Sequence, residues 1–454
     1  MLGWRILGHG EYLLDLPTLS GEEESLIRST EERFREACRL AEPKDEAERE
    51  RLIGGLLAKI ALEKGLYLDR AQQGYLGRLA YSHIYGFAFL GPLLDDQGIE
   101  EISVIGPSKP VYVFMRKKGW LSVNACFDSE KAIGDMANRM ARALGRRITI
   151  QNPRLDAMLP DGSRLHASIS PVSCGEITIR KFRNVPFSPR ELWENGTAAP
   201  DAIALLALVM QCDMSVILCG NTASGKTSTL NALFSFVPSN ERVVIAEETP
   251  EISIPHPHQL RLVSNRDMGI RLRDLVYDSL RMRPDRMIVG EVRDAPETEA
   301  LFDVLLAGQA RGSYATFHAQ SACEGLSRLV SLGARREDLP SIDCLVVQRR
   351  MLAYDPARKA TAEVRRIVEI AEVDGSGAQT IYRHGKAVRP LRMIRKISES
   401  SGLSAKEVMQ ELSKRRELVE DSPAAFGDFF ASVQGRLYGG HQQESRGKDG
   451  GIVW

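Results

Sequence analysis

The stretch Gly220-Asn221-Thr222-Ala223-Ser224-Gly225-Lys226-Thr227-Ser228 has the residue types and spacing needed to grip phosphate. It fits G-x-x-x-x-G-K-[ST], the phosphate-binding loop, at every fixed position. An apolar run, Ser215 to Cys219, leads into it, and a helix-compatible run (TSTLNALFSF) leaves it. In that context the glycines let backbone N–H groups turn inward, and the helix start adds the positive end of its dipole. Lys226 is expected to reach the β- and γ-phosphates of ATP, and the Thr227 hydroxyl to ligate Mg²⁺.

Other residues could complete a hydrolytic site. Met287 to Asp294 (MIVGEVRD) reads as an apolar strand that delivers an acid at its C-terminal end. Gly290 stands where a metal-side Asp is usual, so Glu291 is better placed to polarise an attacking water than to bind the metal. The alternative is a surface acid at a strand end. Glu247 and Glu248 open the run Glu-Glu-Thr-Pro-Glu after the strand RVVIA. Ligands of open α/β sheets bind at the strands' carboxyl ends, so these carboxylates should face the loop; the alternative is a solvated acidic turn before Pro250. Glu248 is expected to hold Mg²⁺ through water. His318, in TFHA, follows the last strand candidate at the same sheet end; the alternative is a structural histidine. Arg281 and Arg283 precede the Glu291 strand and could compensate charge on a transferring phosphoryl group; the alternative is a helix end dressed with basic residues.

These residues need a scaffold. Residues Gly21 to about Leu79 are dense in Glu, Arg and Leu at helical spacing. From Gly91 to Phe182, short β-rich runs surround one helical stretch, Ser129 to Leu144, as in an α+β domain. Arg183 to Ala199 carries two prolines and suits a linker. From Pro200 onward strands alternate with helices, the pattern of a parallel sheet covered on both faces. Strand candidates are Ser215–Cys219, Arg242–Ala246, Arg286–Val289 and Ser313–Phe317. The expected division is a helical region over 1–84, an α+β domain over 85–182 and a linker over 183–199. An ATPase domain over 200–385, a helical region over 386–435 and a disordered tail over 436–454 complete it.

Bulk composition narrows the classes. At 454 residues the chain exceeds what one core usually organises, and 43% apolar residues exclude a disordered chain. Sixty basic and 60 acidic residues leave no surplus, so no nucleic-acid partner is expected. The seven cysteines are scattered without a C-x-x-C pair; this argues against zinc and for a reducing compartment. The opening residues lack a secretory-signal pattern, and the apolar stretch Ala202 to Met210 is too short to span a membrane. The expected location is cytoplasmic, with any membrane role exercised through a partner.

Taken in order, GNTASGKTSTLNAL, AEETPEI, LRMRPDRMIVGEVRD and ATFHA resemble the Walker A, aspartate-box, Walker B and histidine-box blocks of the type II/type IV secretion and pilus-assembly ATPase superfamily. The resemblance is strongest to its archaeal branch, which includes the archaellum motor. YGFAFLGPLLDDQGIEEISVIG, LPDGSRLHA and EITIRKF extend it upstream, so that it covers roughly Tyr85 to Val373. It implies an α/β fold, a RecA-like P-loop NTPase domain with a parallel sheet, preceded by an α+β N-terminal domain and N-terminal helices. It also implies a homo-hexameric ring with ATP and Mg²⁺ between the two domains, completed by a neighbouring subunit, and a polytopic membrane platform protein as partner. By block match Glu291 is the catalytic glutamate, Glu247 and Glu248 the acidic box and His318 the histidine-box residue. Arg164 (in DGSR) and Arg180 (in TIRKF) match N-terminal-domain arginines that approach the nucleotide or the adjoining subunit. Two departures stand out: the acidic box usually ends Glu-Asp, and Gln309 stands where relatives often carry a histidine. Three other readings remain at this point: a nucleotide-dependent scaffold with little hydrolysis, a kinase and a DNA-translocating relative. The kinase would need an acceptor site and a lid, which no segment after Thr227 suggests.

Overall fold

A computed structural model describes residues 4–7, 10–15, 19–40, 43–115, 118–181, 185–265, 268–356, 360–383, 385–387 and 391–439. The chain divides into two compact units, Met1–Arg183 and Asn184–Trp454.

The first unit opens with β1 (Trp4–Leu7) and β2 (Glu11–Leu14), followed by α1 (Gly21–Leu40), α2 (Glu46–Glu63), α3 (Arg70–Ile84) and α4 (Leu90–Asp95). Asp45 and Asp69 cap α2 and α3 by accepting from the N–H groups of Glu48 and Gln72. Leu26, Phe34, Leu57, Ile60 and Leu76 close the core of the three long helices. The sheet continues with β3 (Ile99–Val104), β4 (Pro110–Met115), β5 (Gly119–Cys126), α5 (Glu130–Ala141), β6 (Arg154–Met158), β7 (Arg164–Ser168) and β8 (Glu176–Arg180). Strand order is β1-β2-β5-β4-β3-β8-β7-β6. Alternate residues such as Ile102, Val104, Val113, Ile177 and Ile179 form one core with Ile133, Met136 and Met140 of α5. The region before Tyr85 is thus not wholly helical, because β2 pairs in parallel with β5. Strands of four residues show no readable period, and only their partners define them.

The second unit runs α6 (Pro189–Glu194), α7 (Pro200–Gln211), β9 (Val216–Cys219), α8 (Lys226–Leu233), β10 (Val243–Glu247), β11 (Gln259–Val263), α9 (Leu272–Ser279), β12 (Arg286–Val292), α10 (Ala295–Ala307), β13 (Gly312–Phe317) and α11 (Ala322–Ser331). Then come β14 (Cys344–Asp355), β15 (Ala360–Asp374), β16 (Gly377–Arg383), β17 (Lys386–Ala387), α12 (Leu391–Ser401), α13 (Ala405–Asp421) and α14 (Phe426–Tyr438). Strand order is β11-β10-β12-β13-β9-β14-β15-β16-β17, parallel as far as β14 and antiparallel beyond it. Every residue of β9, β10 and β13 is buried, as both faces of a parallel sheet require. Leu206, Val209, Leu230 and Phe234 cover one face; Val276, Leu301, Val304 and Leu329 cover the other.

Three expectations change here. The stretch read as a linker contains α6, capped by Ser188, with Leu192 buried in the α7–α8 core. The helices after residue 386 are no separate region: Val408, Leu418, Phe429 and Val433 belong to that same core. The expected tail is corrected at its start: residues 436–438 belong to α14, which reaches Tyr438, whose hydroxyl bonds Phe236 O and Gln211. The rest of that tail lies outside the described residues. Among the described residues no helix is long and apolar enough to cross a membrane.

Candidate active site

The loop of Gly220 to Thr227 leaves the C-terminal end of β9, which lies between β13 and β14 in the sheet. Ala223 and Gly225 take left-handed backbone angles (φ 58° and 93°), and alternation of this kind curls successive N–H groups around a concavity. Lys226 opens α8 and is 7% exposed. Its Nζ lies 3.3 Å from Gly220 O and 3.4 Å from Asn221 O, over the mouth of the loop. Ser224 is buried, Thr222 exposed, and Thr227 and Ser228 are half-buried on the first turn of α8.

Glu291 reaches this end by a bulge. β12 and β13 pair in register from Arg286↔Gly312 to Val289↔Ala315, and then Glu291 meets Thr316, leaving Gly290 as the extra residue. The Thr316 hydroxyl donates to Gly290 O at 2.6 Å. A Cβ on Gly290 would lie 3.1 Å from Glu247 Cγ, so a larger residue there would have to push the Glu247 side chain aside. Glu291 Oε1 is 2.7 Å from His318 Nε2, and its other oxygen takes Arg293 Nε at 2.7 Å. Burial works to raise the Glu291 pKa, but Arg293, His318 and Lys226 together hold it below the ordinary carboxylate range. It is therefore ionised at neutral pH.

His318 is fixed at both nitrogens. Nδ1 is 3.2 Å from Gly220 O, so the loop's first carbonyl, the histidine and Glu291 form one chain. Both partners are acceptors, and the ring satisfies both only when doubly protonated. Burial and then Lys226 push its pKa below the usual value, against the pull of Glu291. Arg328 donates to His318 O at 2.7 Å and holds the segment in place.

The acidic segment sorts into three roles. Glu247 is 1% exposed and accepts the N–H groups of Glu251 and Ile252, each at 2.8 Å, with Arg261 Nε 3.4 Å away. Burial raises its pKa to about 7. Its work is to fold the turn. Glu248 is paired with Arg293, the residue that also holds Glu291. The carboxylate that meets the loop is Glu251, which accepts from Thr227 Oγ1 at 3.3 Å and whose own carbonyl accepts from Asn231. Asn231 also accepts from Ser253 N at 3.1 Å.

The remaining arginines lie elsewhere. Arg281 and Arg283 are exposed and precede β12 at its N-terminal end. A strand of that length spans about 20 Å, so within the chain the structure keeps them away from the loop. Arg164 and Arg180 sit in the first unit, directly opposite each other across β7 and β8, with Glu101 opposite Arg180 on the other side. Sequence reasoning left out Glu251 and Arg293 as working residues. Glu251 was visible in Glu-Glu-Thr-Pro-Glu, but nothing local says which of three glutamates the chain turns toward Thr227.

A sheet in which one strand separates the phosphate-loop strand from the strand carrying a glutamate, both opening on the same edge, defines a RecA-like P-loop nucleotide-binding protein. The model of the type II/IV secretion system protein family matches residues 85–418, and the chain belongs to that family. It is 35% identical over 301 residues to the protein MJ0900 of Methanocaldococcus jannaschii, covering 64% of this chain and 53% of that one. The chain thus spans about half the length of that curated relative. It is 29% identical to VirB11 of Agrobacterium fabrum, covering 56% of this chain and 83% of that protein. The crystal structure of the Legionella pneumophila ATPase DotB matches over 73% of this chain and 85% of its own, at 20% identity and a TM-score of 0.46.

Proposed function

We propose that this protein is an ATP-hydrolysing motor, a homo-hexamer that powers assembly of a type IV pilus-like or archaellum-like filament, or type II-like protein secretion, at the cytoplasmic membrane. The observation that carries the reading is the chain Gly220 O–His318–Glu291, which ties an ionised carboxylate to the first residue of the phosphate loop. An ionised acid beside a phosphate site and held off the Thr227 side can take the proton of an attacking water. Glu291 orients and deprotonates that water, while Lys226 and the loop N–H groups meet the charge on the β- and γ-phosphates. The all-oxygen pair Thr227 and Glu251 suits Mg²⁺, which favours few carboxylates and keeps its waters, and Glu248 would hold it through water. That cation supplies charge neutralisation on the phosphates. Arg164 and Arg180 act on the nucleotide of the ring, where a charge arriving from another element favours the transition state. The motor works in the cytoplasm and meets the membrane through a polytopic platform protein.

The test is phosphate release measured beside mass from light scattering, with and without a non-hydrolysable ATP analogue. Expected are a nucleotide-favoured hexamer and a specific activity that rises with protein concentration. In Arg164→Ala and Arg180→Ala, turnover should fall by up to about 10³-fold with binding retained. A monomer whose rate is independent of concentration, or arginine variants of full activity, would overturn the ring mechanism.

A further inference from the structure

Opposite the candidate base, the phosphate loop leans on a residue from the far end of the unit. β14 runs beside β9 with Val346 opposite Leu218 and Val347 opposite Cys219, so the next residue, Gln348, falls beside Gly220. The pairing of β14 with β15 slips at this point, Val347 facing Glu369 and Gln348 facing Ile367, which leaves Val368 of β15 as the extra residue; β14 keeps its own alternation, so Gln348 shares the α8-side face with Cys344 and Val346. Gln348 is 2% exposed. Its Nε2 donates to Ser224 O at 2.8 Å, and its Oε1 accepts from Thr229 Oγ1 at 2.6 Å. The amide therefore bridges the last bend of the loop to the first turn of α8. Both fixed glycines of the loop face the same residue. A Cβ on Gly220 would come within 2.0 Å of Gln348 O, and one on Gly225 within 2.9 Å of Gln348 Nε2. One position further on, the Asn221 side chain and the Arg350 backbone exchange two hydrogen bonds of 2.9 and 3.0 Å.

We propose that Gln348 is a positioning residue for the phosphate loop, holding the Ser224–Gly225 peptide with its N–H turned into the phosphate cradle. The reasoning is that a peptide is planar and trans, so its carbonyl and N–H point in opposite directions. A carbonyl tied to a buried amide on the β14 side leaves the Gly225 N–H facing away from it, toward the ligand. Thr229 sets which way round the amide sits. This inference rests on the nucleotide-binding reading above and deepens it.

A loop that is no longer held must be ordered by the nucleotide itself, so the competent fraction of free protein falls and the apparent affinity falls with it. Once nucleotide is bound, Glu291, Lys226 and Thr227 stand as before. Gln348→Met, which keeps length and removes both polar ends, should raise KM and the Kd for ADP about tenfold with kcat within about twofold. Gln348→Glu can still accept from Thr229 but cannot donate to Ser224, and should fare no better. Thr229→Val, which spares β14, should show a smaller rise of the same kind. Melting temperatures without nucleotide are taken alongside. A residue that merely braces the fold would lower those temperatures and leave KM unchanged, and that result overturns the proposal. So does a fall in kcat at constant KM. If the unmutated protein neither binds ADP nor releases phosphate, the functional reading falls with it; if it does both while Gln348→Met keeps pace, only the role of Gln348 is overturned.

Discussion

Replacing Glu291 by glutamine separates water activation from nucleotide binding. Glutamine keeps the size and reach of the side chain: its carbonyl can accept from Arg293, as Glu291 does at 2.7 Å, and its amide can face His318 Nε2. What it lacks is a base. A positioned general base contributes about 10² to 10⁴ in rate, roughly 3 to 5 kcal/mol of barrier at about 1.36 kcal/mol per decade. Binding should hold or tighten, because a negative charge whose field reaches Lys226 is gone and the phosphates meet one like charge fewer. Raising the pH offers no rescue, since a glutamine amide does not titrate and cannot become a base. Lys226→Ala should behave differently, because it removes a cation from the phosphates themselves and loses binding together with turnover. The assay is released phosphate beside ADP affinity for the unmutated protein and both variants. Full hydrolysis by Glu291→Gln would refute the assignment and move the base to Glu248 or Glu251. Equal losses of binding and turnover in that variant would refute the separation of the two roles.

Two further outcomes follow from the acidic turn. The Glu247 pKa is about 7 in the fold against 4.5 ordinarily, so the folded state holds the proton more tightly, and stability falls as pH rises through that window, by about 3 kcal/mol in total. Glu247→Gln retains an acceptor for the Glu251 and Ile252 N–H groups but does not titrate; urea midpoints should show it gaining on the unmutated protein up to about pH 8, and parallel pH profiles would refute the shift. Gly290→Asp, which installs the usual metal-side acid, should destabilise by about 1 to 3 kcal/mol and more than Gly290→Ala, since its Cβ presses on Glu247 and its charge faces a buried carboxyl. Thermal melts check this, and a variant of unchanged stability would show that the strand has room.

What could be read from the chain alone was what is local. The phosphate loop is contiguous, so its glycines, Lys226 and Thr227 declare themselves by spacing, and unbroken apolar runs such as Val216–Cys219 and Val243–Ala246 mark strands buried on both faces. The order of blocks along the chain was enough to suggest the family. Whatever depended on register was not legible. The antiparallel extension β15–β17, the burial of α6 and the closing of the core by α14 rest on pairings and packing that the local pattern does not show. The same holds inside the site. Glu247, Glu248 and Glu251 are interchangeable acids in a sequence; burial and two backbone N–H groups make the first a turn support, Arg293 takes the second, and Thr227 meets the third. A one-residue bulge at Gly290 aims Glu291, and the plain alternation of β14 turns Gln348 toward Thr229 of α8. Side chains alternate faces along a strand, so a single extra residue reverses what each one touches, and only the tertiary pairing decides where that residue goes.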